Sequence, residues 1–92
     1  MNPIPLNHNL QFAIENHGNK ARLIVYKDGV ENVCRKEAFR KLHNFVTSDE
    51  KTLFGGRLRL HKNMEGIAIE IKGKIEGVVK TDDFLKYLSE VN

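Results

Sequence analysis

Four histidines, one cysteine and a pair of adjacent aspartates are the residues of this chain with catalytic or metal-binding chemistry to offer. His8, His17, His43 and His61 fall one per expected element or turn, and no two share the i, i+4 spacing that puts two ligands on one helix face. With a single cysteine, no zinc-binding set can be assembled from them. Cys34 precedes Arg35 and Lys36 at the start of an expected helix, cationic surroundings that favour a reactive thiolate. His43 could then act as its base. The competing reading, a buried structural thiol, is favoured because the internal repeat described below matches Cys34 to Val79 on an inward face. Asp82 and Asp83 are neighbours at a helix start, so they point to different sides and act as first-turn acids. Gly55-Gly56 precedes a strand rather than a helix, which is the wrong context for a phosphate loop and reads as a turn or bulge. The expectation is a protein without enzymatic activity, metal or cofactor.

The elements that position these residues follow from an internal echo. Residues 24–46 and 69–91 share seven identities at a spacing of 45, among them Ile24/Ile69, Glu31/Glu76, Val33/Val78 and Phe39/Phe84. Upstream the match resumes after a three-residue gap, as Leu10/Leu58, Phe12/Leu60 and Gly18/Gly66. Alternation predicts strands in LQFAI, GRLRLHK and GIAIEIK, with Ile67, Ile69 and Ile71 inward. Asp28-Gly29 suits a type I′ hairpin turn, and IKGKIE does the same work. VENVC and IEGVV are the third strands. TDDFLKYLSEV reads as a helix with Thr81 at its N-cap and an apolar stripe of Phe84, Leu85, Leu88 and Val91. KEAFRKLHNFV presents Phe39, Leu42, Phe45 and Val46 in the same way.

The expected fold is therefore α+β: two tandem βββα repeats forming one mainly antiparallel sheet, with both helices packed on one face. Residues 1–92 form a single domain, with repeat halves 9–46 and 57–92 and a polar linker 47–56. Such duplicated sheet-plus-helix units resemble in topology the single-strand-binding Whirly and PUR families, whose repeats carry four strands each where three are expected here. Locally, KGKIEGVVKTDDFLKYL is similar to the strand–helix piece of prevent-host-death antitoxins, over less than a fifth of the chain and at its other end.

Composition narrows the function classes. The 92 residues are 40% hydrophobic and 29% charged, as in ordinary globular domains. No apolar stretch approaches the ~20 residues of a membrane-spanning helix, and MNPIPLNHNL has no secretory-signal pattern. One cysteine suits a reducing compartment, so a cytoplasmic protein is expected. The net charge of +3 resides in residues 1–46, which carry seven Lys/Arg against four acids; residues 47–92 balance at eight each.

Two surfaces stand out. On the open sheet face, the 45-residue register turns Ile24 and Tyr26 inward and Leu23, Val25, Val33 and Val78 outward, beside Ala13 and Ala68. Arg57, Arg59 and His61 share that face. An apolar centre with a basic margin fits a nucleic-acid-binding sheet or a protein interface, including that of a homodimer. The second surface is the exposed side of the first helix, where Lys36, Arg40 and His43 follow one another and Arg35 and Lys41 flank them. The favoured function is nucleic-acid binding through Arg35, Lys36, Arg40, Lys41, Arg57 and Arg59. The alternative is a protein-interaction module, an inhibitor, adaptor or regulator, that uses Leu23, Val25, Val33 and Val78. With Phe12 and Tyr26 expected inside, Phe54 is the one ring left for base stacking.

Overall fold

Three two-residue turns set the path of the chain. Gly18-Asn19, Asp28-Gly29 and Lys72-Gly73 all have positive φ at both positions, the signature of type I′ hairpins. The computed structural model describes residues 3–92. The first half comprises β1 (Ile4–Pro5), β2 (Leu10–His17), β3 (Lys20–Lys27), β4 (Val30–Glu37) and α1 (Phe39–Thr47). The second comprises β5 (Thr52–Leu53), β6 (Leu58–Lys62), β7 (Ile67–Ile71), β8 (Lys74–Val79) and α2 (Thr81–Val91). No helix among the described residues is long and apolar enough to cross a membrane.

The class is α+β, but the single sheet is not found. Each half forms its own four-stranded antiparallel meander, in the orders β1-β2-β3-β4 and β5-β6-β7-β8. Each half also has four strands rather than three. The two additional strands span two residues each, too short to show alternation, and β5 lies inside the segment expected to be a polar linker. The inward faces of both sheets and the buried sides of both helices meet in one hydrophobic cluster.

The register also departs from the 45-residue echo. The hairpin turns Asp28-Gly29 and Lys72-Gly73 lie 44 positions apart, and the residues preceding the helices, Ala38 and Lys80, lie 42 apart. A one-residue slip exchanges the two faces of a strand. Ala21, Leu23 and Val25 therefore point into the core with Val33, while Ile24 and Tyr26 face outward. The expectation that Leu23, Val25 and Val33 face solvent is thus reversed, whereas Val78, Ala13 and Ala68 do lie on the outward faces. Both last strands also carry a bulge. Val25 pairs with Val33 and Tyr26 with Glu31, which leaves Asn32 unopposed; Ile69 pairs with Gly77 and Glu70 with Ile75, which leaves Glu76 unopposed.

The helices exchange partners. Phe84 of α2 stacks on Phe12 of β2, with ring centroids 6.2 Å apart, and Asn16 Nδ2 donates to the Val91 carbonyl at the end of α2 (3.1 Å). Conversely, Lys62 of β6 donates to the Phe45 (2.6 Å) and Ser48 carbonyls at the end of α1. Neither helix has a basic residue in its own last turn, so Lys62 places against α1 the cation that its C-terminal dipole favours. Thr81 is the first helical residue rather than the cap, a place taken by Lys80. At Gly66 (φ +146°) a Cβ would stand 2.3 Å from the Val79 carbonyl, so only glycine lets β7 begin beside the end of β8.

Phe84 is fully buried whereas Phe39, the first residue of α1, is half-buried; the two do not occupy equivalent slots. Phe84→Ala is expected to lower stability by about 3–5 kcal/mol in urea unfolding, and Phe39→Ala by clearly less. Equal losses would contradict this difference in burial.

Candidate anion-binding cleft

The type I′ turns at Asp28-Gly29 and Lys72-Gly73 end two hairpins, one in each sheet, and the residues flanking them meet in space. Lys27, Lys72 and Lys74 line a cleft of about 240 Å³, together with Leu10, Ile71 and the two bulge residues Asn32 and Glu76. None of the three lysines has a carboxylate within salt-bridge distance, since the five close ion pairs of the described residues involve other cations. The carboxylate in the cleft is that of Glu76, only 10% exposed and held 3.0 Å from His8 Nδ1. The adjacent Asn7 N–H donates to the Glu76 carbonyl (2.8 Å), which fixes the β1–β2 loop on the bulge. Arg57 extends the cationic surface: its carbonyl accepts from Lys72 N–H (2.8 Å), and its side chain is exposed. Lys72 has φ +52°, a left-handed conformation that disfavours a side chain with no local hydrogen bond to offer.

The cations expected to bind ligand are dispersed, and two of them are already engaged. Arg35 and Lys36 belong to β4, not to the first helix, so no continuous basic helix face joins them to Arg40 and Lys41. Arg35 donates to the Gly55 carbonyl (2.7 Å) and lies 4.8 Å from the centre of the Phe54 ring, fastening the second half to the edge of the first sheet. Phe54 is thereby covered rather than spare. Arg59 stands 3.9 Å from Glu70, which also takes His61 at 2.9 Å. Arg40 and Lys41 are exposed on α1, and Lys36 lies exposed opposite Arg22. Of the six, only Arg57 lies beside the cleft.

Both outward sheet faces are electrostatically compensated. On the first sheet, Arg22 donates to Glu15 (2.9 Å) and to Glu31, pairs that hold its guanidinium pKa well above the ordinary arginine value, Glu15 most strongly. Glu15 and Glu31 lie on either side of the Ala13–Ile24–Cys34 row, so the Arg22 side chain extends over buried Ile24. Cys34 is partly exposed in this row, in mid-strand rather than on the inward face. On the second sheet, Ile75 (45% exposed) and Val78 (39%) form an apolar margin beside the Arg59–Glu70–His61 group. Among the described residues, no three His, Cys, Asp or Glu side chains come together as a metal site.

Lys27, Lys72 and Lys74 escaped the sequence reading because they belong to different halves and meet only when the two hairpins do. The signal available was KGK at a type I′ turn, an uneasy place for lysine. No family model matches the chain, and neither does any curated protein or solved structure.

Arg35 and Arg40 separate structural from free cations. Arg35→Gln is expected to lower stability by about 1 kcal/mol through loss of the Phe54 and Gly55 contacts, while Arg40→Gln stays within about 0.5 kcal/mol of the parent protein. Thermal unfolding of the two variants measures both; equal melting temperatures would remove Arg35 from its fastening role.

Proposed function

We propose that the protein binds nucleic acid through its phosphate backbone, at the end of the molecule where the two hairpins meet. The observation that supports this reading is the convergence of Lys27, Lys72 and Lys74 on one cleft with no acidic partner of their own. Like charges held together raise the energy of the free protein, and a polyanion relieves that repulsion while releasing its condensed counterions. Arg57 adds a fourth cation beside the first three, and the Asn32 amide adds a neutral donor. The outward sheet faces are weaker candidates, because phosphate there would compete with the carboxylates of Glu15, Glu31 and Glu70. Backbone contacts of this kind position a nucleic acid without reading its sequence, so weak sequence preference is expected.

A second reading, a protein-interaction surface, is favoured by one observation of its own. Ile75 and Val78 are exposed on the outward face of the second sheet beside buried Ala68, the side from which another chain, including a second copy, could cover them. Salt distinguishes the two readings, since an apolar interface responds little to ionic strength.

The test is a titration of a mixed-sequence oligonucleotide at several salt concentrations. The parent protein should lose affinity linearly in log salt. Replacing Lys27, Lys72 and Lys74 together with glutamine should reduce that slope by about 2–3, at ~0.7–0.9 per phosphate contact. The double replacement Arg40→Gln and Lys41→Gln should leave the slope unchanged. Absence of binding at about 50 mM salt, where such contacts are strong, would reject the nucleic-acid reading, and an unchanged slope in the triple variant would move the contact away from the cleft.

A further inference from the structure

A roomier cavity than the lysine cleft lies elsewhere, between the two helices. Its volume is about 550 Å³, within the range of small-molecule sites. Phe39 from α1 and Leu85 and Leu88 from α2 form an apolar floor. Arg40 and His43, three residues apart and so on one side of α1, form a basic wall, and Ser89 lines the cavity from α2. No acidic side chain is among the lining residues, and no ion pair engages Arg40. Nothing in the nucleic-acid reading uses this groove.

We infer that the groove binds a small anionic amphiphile: a molecule with one carboxylate and an apolar tail. The tail would cover Phe39, Leu85 and Leu88, and the carboxylate would take paired hydrogen bonds from the Arg40 guanidinium, whose planar fork matches it. The floor is one patch of three side chains, with room for a single tail. A partner helix needs a row of anchors along a longer groove, and a bare phosphate or nucleic acid would leave the apolar floor uncovered. Charge complementarity and the size of the apolar patch therefore select the same ligand class.

Octanoate, below the concentration at which it forms micelles, is the probe, and amide chemical shifts of the full chain are the readout. Shifts should saturate at one site, be confined to α1 and α2, and give a Kd of about 0.1–1 mM, as expected for a ligand of this size. Arg40→Gln should weaken binding about tenfold by removing the charge-assisted bonds, and Leu85→Ser should weaken it comparably by removing part of the floor. Arg57→Gln, at the opposite candidate site, should leave it unchanged. 1-Octanol should bind about tenfold more weakly than octanoate, for the same reason as Arg40→Gln. Equal binding of octanol and octanoate, an unchanged Kd in Arg40→Gln, or no saturable shift at the groove would each overturn the inference. Groove shifts that follow protein concentration without octanoate would overturn it in favour of a second copy as occupant. Oligonucleotide binding is read separately, so either proposal can fail alone.

Discussion

The stack of Phe84 on Phe12 joins the last helix to the first full-length strand, and most of the structure depends on that crossing. A four-stranded meander with one apolar face cannot remain open to water, and here each inward face is closed with help from the other half. α2 lies against the first sheet, with Asn16 holding its final carbonyl, while Lys62 of the second sheet holds the end of α1. Arg35 on Gly55 and Asn7 on Glu76 repeat the exchange at the sheet edges. Each half thus draws part of its closure from the other, so the chain should unfold as one cooperative unit.

The same interlocking brings the hairpin ends together. Type I′ turns need no side chain in particular at their flanks, so Lys27 and Lys74 are free to be chosen for charge. The bulges complete the arrangement, because an unopposed residue leaves the pleat and can be aimed where regular pairing would not send it. Both bulge residues, Asn32 and Glu76, line the cleft. Glu76 brings a carboxylate among lysines but directs it to His8, and the Asn7–Glu76 backbone bond holds that loop in place. The cleft thus keeps its excess of positive charge.

Much of this fold was legible in the sequence, and the exceptions have definite causes. Alternation in GIAIEIK, the Asp28-Gly29 turn and the helical stripe through Phe84 and Leu88 are local signals, and they placed the elements. Strands of two residues give no such signal, so β1 and β5, and with them the division into two sheets, are not legible in the sequence. The inward and outward sides of β3 were exchanged because Ile24 and Ile69 happen to match at 45 positions, while the turns that set the pairing are 44 apart. An odd offset in place of an even one moves Leu23 and Val25 from core to surface. Cys34 and Arg35 read as the start of a helix because the run Arg35-Lys36-Glu37 has no alternation of its own; the strand continues through it by pairing with Ala21, Arg22 and Leu23.

The site was less legible than the fold because charge has no periodicity to follow. Arg35 and Arg59 look the same in sequence as Arg57, yet partners distant in sequence or on a neighbouring strand engage the first two and leave the third exposed. Clusters of positive residues in a sequence count charges before their partners are known, and Arg22 shows how far that count can mislead: with two carboxylates bound to it, it contributes shape to the sheet more than field to the surroundings. The usable cations are those the fold leaves unpaired. In this molecule three of them, Lys27, Lys72 and Lys74, converge where hairpins of the two sheets meet, and the core residues Leu10 and Ile71 that line the same cleft tie that place to the cluster containing Phe12 and Phe84.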